Sequence, residues 1–227
     1  MKKFLFLVIA ILMLIALANG AASDDLADEV LSAHGGAKYV EMKSLIVRGS
    51  VDITASVVNQ AIPATFVTIF AGDKYRLEID NPFQPFKQVF DGQQTYSSIE
   101  RGFTLPPINR IGMPLLQKLG SKGFETSDLA NKKKRGFRIT APDGYFTDFY
   151  ISKKTNRVKA YEASYIVNDR DVTTSVEIDK YQEVDGVVIP KKYAQRFDVS
   201  QMTVYAEFKA REILVNTQID DDVFSLE

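Results

Sequence analysis

Cysteine and tryptophan are both missing from these 227 residues, and there is a single histidine, His34. Without cysteine there is no thiol nucleophile, no thiolate metal site and no disulfide. The residue on which a bacterial lipoprotein anchor is built is missing too. One histidine leaves no Cys–His pair and no His-rich metal site. A Ser–His pair is arithmetically available, but no G-x-S-x-G motif accompanies it, and no phosphate-binding glycine loop is present. Charge is balanced, with 28 basic and 29 acidic residues, so the basic surplus that nucleic-acid binding needs is lacking. Eight Pro and thirteen Gly build no low-complexity segment, and 45% hydrophobic with 25% charged residues is an ordinary globular composition. An enzyme is not expected, and no cofactor or metal is implied.

Long apolar runs are scarce as well. The one that stands out, Phe4 to Ala18, is fifteen residues long, short of the ~20 that span a bilayer. Lys2 and Lys3 precede it, and Ala18, Gly20, Ala21 and Ala22 follow. That is the pattern of a secretory signal peptide, predicted here over 1–22, with cleavage after Gly20 or Ala22. The expected location is the periplasm. Residues 23–227 are then expected to form one domain, because no linker interrupts them. With no disulfide, the hydrophobic core alone must hold it, and a chain of this length is enough for one sizeable core.

What the sequence has in quantity is alternation. Leu45, Val47, Val51, Ile53, Ala55 and Val57 take odd positions, while Ser44, Arg48, Ser50, Asp52, Thr54 and Ser56 take even ones; Ile46 and Val58 are the exceptions. Strands place successive side chains on opposite faces, so this reads as a strand with one dry and one wet face. Asn59-Gln60 and Gly72-Asp73 then separate Ile62–Phe70 and Tyr75–Ile79, giving an antiparallel meander. Further strands are predicted at Lys87–Phe90, Gln94–Ser98, Arg135–Thr140, Tyr145–Ile151, Val158–Val167, around Val172–Ile178, at Val187–Phe197 and at Thr203–Val215. Helices are few. Ser23–His34 carries an acidic first turn and an apolar stripe of Leu26, Val30 and Leu31, and Gly35-Gly36 stops it. Tyr39 and Met42 suggest another inward-facing turn. Residues 101–134 lose the strand signal: Pro106-Pro107 opens the segment, Met113, Leu115, Leu116 and Leu119 suggest one short helix, and Lys122–Lys134 reads as a polar loop with another helical turn. A long irregular insert of this kind is usually functional or mobile.

The sum is a mainly β fold of ten or eleven antiparallel strands with two or three short helices. Ten strands at about 4.8 Å spacing make a sheet ~50 Å wide, whereas one helix covers a stripe of about 10–12 Å. Such a sheet curls. Its interior is either simply full or an apolar hollow partly lidded by the 101–134 insert, supplied with large side chains by fifteen Phe and ten Tyr. Three polar features have bland readings. His34 is expected to interact with a helix C-terminus, Asp220-Asp221-Asp222 to form a solvated turn capping a final helical turn, and Lys132–Arg135 to be a solvated hairpin end, with anionic headgroups or an acidic partner as the alternative.

Several stretches carry a family resemblance: VLSAHGGAKYVEMKSLIVRGSV after the apolar leader, AGDKYRLEI, VFDGQQTYS, VVIPKKY and the closing YAEFKAREILVNTQIDDDVFSLE. Together they resemble outer-membrane lipoprotein-sorting-like proteins of the LolA/LolB lipoprotein-carrier superfamily, across essentially all of 23–227. The resemblance implies a single curved antiparallel sheet forming an unclosed half-barrel, lidded by helices, that binds lipid or acyl chains without catalysis. It implies a soluble, exported carrier of a lipid or acylated lipoprotein, meeting an envelope membrane or acceptor protein and acting as a monomer. The dry faces nominate Leu45, Val47, Val51, Phe66, Tyr75, Leu77, Phe90, Leu115, Leu116, Val176 and Phe208 as cavity residues; for each the alternative is plain core. The competing function is a sensing or protein-interaction module with a filled core.

Overall fold

The computed structural model describes residues 23–55, 60–83, 85–98, 108–167, 170–199 and 202–225. The predicted signal peptide, Val57 and Val58 at the end of the first strand run, Pro106-Pro107 and the tail residue Leu226 lie outside them.

Among the described residues all strands belong to one antiparallel sheet of twelve. The first five are β1 (Ser44–Ala55), β2 (Ile62–Ala71), β3 (Lys74–Asp80), β4 (Phe86–Phe90) and β5 (Thr95–Ser97). The other seven are β6 (Glu125–Asp128), β7 (Gly136–Thr140), β8 (Phe146–Ile151), β9 (Val158–Val167), β10 (Arg170–Val184), β11 (Val187–Val199) and β12 (Met202–Val215). Their spatial order is β5-β4-β3-β2-β1-β12-β11-β10-β9-β8-β7-β6. The chain thus begins in the middle of the sheet, meanders to one edge, crosses over, and meanders back to pair β12 with β1. The edge strands β5 and β6 do not pair, so the sheet stays an unclosed half-barrel.

The count exceeds the eleven strands named from the sequence by one. The extra strand, β6, lies in the stretch read as a polar loop. Its sequence, ETSD, has no apolar residue; pairing with Phe137–Thr140 of β7 makes it a strand. A short acidic edge of this kind also discourages sheet-to-sheet association.

The odd residues of β1 do point inward, with Val47 and Val51 buried. Ile46, the exception, is buried on the opposite face with Ile69, Val89 and Phe224. The C-terminal 3₁₀ turn, Asp221–Phe224, makes that convex patch dry. It is fastened there by Lys74–Asp221 (2.8 Å) and by Arg76 Nη1 donating to Val223 O (2.7 Å). The acidic run is therefore a docking turn, and Asp220 makes no side-chain cap bond.

At the β1–β12 seam, Arg48 pairs with Glu212 but Gly49 with Ala210, so Arg211 is a bulge. Parity flips across it: Ala206, Phe208 and Ala210 are buried before it, Ile213 and Val215 after it. A Cβ at Gly49 would lie 2.0 Å from Lys209 O, so the close approach at this bulge requires glycine.

Helix α1 spans 23–33 and α2 is Ala37–Val40. Ala27 and Val30 of α1 belong to the same core as Phe137, Phe149, Ile151, Val158 and Val187. His34 follows α1 and is fully buried, and its ring bonds two strands rather than the helix C-terminus. Its Nε2 accepts from Val158 N–H (3.2 Å), so Nδ1 carries the proton and donates to Val188 O (3.1 Å). One side chain thus ties the helix end to β9 and β11. Burial holds its pKa down at about 4, with the Arg157 charge adding in the same direction and the Val188 bond opposing. Arg135 of the basic run reaches Glu29 of α1 (3.1 Å), and Lys134 lies over the Tyr150 ring (4.3 Å), so half of that run serves the fold.

Candidate functional site: an apolar hollow beneath a pinned lid

The helices do not fill the concave face. A cavity of about 490 Å³ remains between the sheet and the crossover segment, within the usual range of ~300–1,000 Å³ for ligand pockets. Its wall is predominantly apolar. β1 and β2 give Leu45, Val47, Ile53 and Phe70; β3 and β4 give Leu77, Ile79 and Phe86. From the other half come Tyr161, Val176, Ile178, Tyr193, Phe197, Ala206 and Phe208. Tyr193 stacks on Phe208 with ring centres 4.7 Å apart, and Phe66 meets Phe208 edge-on behind it. Tyr161 and Tyr193 are enclosed by protein yet keep some surface open to the cavity. Burial pushes both phenols well above the ordinary range, so they stay neutral.

The lid is two 3₁₀ turns, Ile108–Arg110 and Met113–Lys118. Between them the backbone turns at Gly112, where φ is 67° and a Cβ would sit 2.7 Å from the Tyr161 ring; only glycine fits. Both ends are held. Asn109 Nδ2 donates to Asp73 O (2.6 Å) at the β2–β3 turn, where Lys118 also pairs with Asp73 (2.8 Å). Across the sheet, Gly112 N–H donates to Thr147 Oγ1 (3.0 Å) and Arg110 pairs with Asp143 (2.6 Å). In the middle, Tyr39 Oη donates to Met113 O (3.0 Å) and Gln117 Nε2 to Tyr39 O (2.9 Å). Leu115 and Leu116, on the second of these turns, are fully buried and anchor it in the main core.

Of the residues nominated by sequence, Leu45, Val47, Leu77, Val176 and Phe208 line the cavity together. Val51, Phe66, Tyr75, Phe90, Leu115 and Leu116 are buried but are not part of its wall. Tyr75 stacks with Phe90 at 5.9 Å and accepts from the buried Gln88 Nε2 (2.7 Å), which closes off that end of β3 and β4. Leu115 and Leu116 pack in the main core. Sequence reasoning missed Ile53, Phe70, Ile79, Phe86, Ile178, Phe197 and Ala206 as wall residues, and with them Asn109, Tyr161 and Tyr193. The two tyrosines lie on inward positions of strands already predicted, and parity could have found them; Asn109 carries no sequence signal.

Because most lid fastenings are single hydrogen bonds, each one is separately removable. Tyr39→Phe leaves Met113 O without its buried donor, an expected cost of about 1 kcal/mol. The mutant should show faster proteolysis within 108–119 than the parent, with little change in global stability.

Among the described residues no cluster of His, Asp and Glu could hold a metal, and no helix is long and apolar enough to cross a membrane. No family model and no curated protein matches the chain. Solved structures do match. A DUF1329 family protein from Desulfovibrio piger aligns over 92% of this chain and 98% of its own, with TM-score 0.53 and 11% identity. A LolA superfamily protein from Nitrosomonas europaea aligns over 86% and 97%, with TM-score 0.54 and 12% identity. A domain assigned to outer-membrane lipoprotein sorting from Vibrio parahaemolyticus aligns over 91% and 97%, with TM-score 0.51 and 10% identity. At these identities the likeness is one of fold. The chain has the same fold as a LolA superfamily protein and an outer-membrane lipoprotein-sorting domain.

Proposed function

We propose that this chain is a non-catalytic carrier that holds a lipid or an acyl chain in the hollow and hands it on within the cell envelope. The observation that carries the reading is the apolar cavity of about 490 Å³ left under a lid that is fastened by a few polar contacts. A structural core would close such a void, because unfilled space forfeits packing energy. About ten buried methylenes at ~0.8 kcal/mol each give roughly 8 kcal/mol of gross affinity. Several kcal/mol of this are offset by the freedom lost on binding, which leaves a complex able to release its load. The lipoprotein-sorting assignment of one fold relative fits this reading. So does the leader over 1–22, which would deliver the protein to the periplasm by way of a cleaved signal peptide. The expected cargo is a lipid or acylated lipoprotein, and the expected counterpart is a membrane or an acceptor protein. An interaction module with a filled core is disfavoured by the cavity itself.

Titration with a fluorescent acyl probe tests the proposal. Saturable binding at one site per chain, reversed by unlabelled phospholipid, is expected. Emission that stays at the level of the probe in water would refute it.

A further inference from the structure

Three tyrosines line the hollow: Tyr39, Tyr161 and Tyr193. Tyr39 is engaged, since its Oη donates to Met113 O. Among the described residues Tyr161 Oη and Tyr193 Oη have no hydrogen-bond partner. They differ from Tyr165 Oη and Asn109 Oδ1, which are unpartnered but sealed inside the protein. The hydroxyls of Tyr161 and Tyr193 keep accessible surface, and both side chains belong to the wall of the hollow. The sheet register brings them to one stretch of that wall. Tyr161 of β9 is opposite Val176 of β10, and Val176 is opposite Gln195 of β11, two residues along from Tyr193. Gln195 is already held, its Nε2 donating to Thr174 Oγ1 (2.9 Å). Tyr161 Oη lies against the lid, where a Cβ on Gly112 would come within 2.8 Å of it. Burial keeps both phenols protonated, so each has a proton to donate. The charged residues among the described wall, Asp73 and Lys118, pair with one another at 2.8 Å, so these two donors come without a counter-ion.

We propose that Tyr161 and Tyr193 form a carbonyl-binding site, where their O–H groups donate to the neutral ester carbonyl of an acyl chain lying in the hollow. This rests on the carrier reading and names its ligand class: acyl esters, in preference to pure hydrocarbons and free carboxylates. An acyl chain laid along this wall strips water from both hydroxyls, and a methylene offers nothing in its place. A carbonyl oxygen has two lone pairs and restores what the water gave. A carboxylate would also have to shed its water, with no cation to receive the charge.

Tyr161→Phe and Tyr193→Phe keep the rings and remove only hydroxyls that bond nothing in the protein, so both variants should fold as the parent does. Two ligands are titrated into each: methyl dodecanoate labelled with ¹³C at the carbonyl, and 1,6-diphenylhexatriene, a fluorescent hydrocarbon with no acceptor. The ester-to-hydrocarbon affinity ratio should fall about fivefold in each variant. Infrared difference spectra of the parent complex should place the labelled carbonyl stretch below its position in hexane, and the double variant should return it there. A ratio unchanged by both substitutions, a parent stretch at the hexane position, or a shift that survives the double substitution overturns the carbonyl site while leaving the carrier standing. If neither ligand binds the parent, both fall.

Discussion

Arginine at position 77 is expected to abolish the proposed lipid retention in a protein that still folds, and arginine at position 51 to destroy the fold. Both residues are apolar, buried and inward-facing, and the sequence gives no way to rank them. The structure separates them: Leu77 is in the wall of the hollow, while Val51 is 1% exposed in the packed core and absent from that wall. A guanidinium on Leu77→Arg enters a space large enough to admit it with water, and there replaces the apolar surface an acyl chain would need. The same group on Val51→Arg must be desolvated without a partner, a cost above ~4 kcal/mol. Lipid extracted per mole of protein, together with a thermal melt, reads both effects. Full lipid content in Leu77→Arg would show that the hollow is not where lipid is held.

Acidification is expected to weaken the fold through His34. Its ordinary pKa of 6.5 is depressed to about 4 in the folded chain. Between those values the unfolded chain binds a proton that the folded chain does not. Stability is therefore unaffected by this group above pH 6.5 and declines as pH falls toward 4. The loss between pH 7 and pH 5 is about 2 kcal/mol, and by pH 4 about 3 kcal/mol. The groups facing the ring explain why protonation is resisted: Tyr39 and Tyr181 pack edge-on at 6.0 and 5.2 Å, Val158 N–H needs the Nε2 lone pair, and Arg157 adds a positive charge nearby. His34→Gln keeps a donor and an acceptor but does not titrate. It should be about 2 kcal/mol less stable at pH 7, since the glutamine cannot reproduce both bonds across a ring, and it should lack the extra pH 7-to-5 loss. Denaturant melts of the two proteins at both pH values measure the difference. Parallel pH slopes would show that His34 is not the responsible group.

Much of this fold was readable because alternation reports faces directly. Strand positions, their antiparallel order and the helix ending at Gly35-Gly36 follow from turn residues and period. The polar strand β6 did not, because its strand state comes from β7 and not from its own residues. Parity also fails locally at the Arg211 bulge and at Ile46, which is dried by a tail about 180 residues downstream. For the site the limit is of another kind. Alternation says which face a side chain is on, but not how far along the strand the helices and lid reach. That depth decides whether an inward residue such as Val51 is packed or one such as Leu77 borders empty space. His34 likewise looked like a helix-end residue, since its two strand partners are 124 and 154 residues away in sequence.

Native mass spectrometry with lipid extraction, on protein purified from its own cell envelope, tests the central claim most directly. The carrier account predicts a stoichiometric lipid or acylated species, lost in Leu77→Arg. A protein that emerges empty and also refuses added lipid would contradict it, and the hollow would then have to be explained without a ligand.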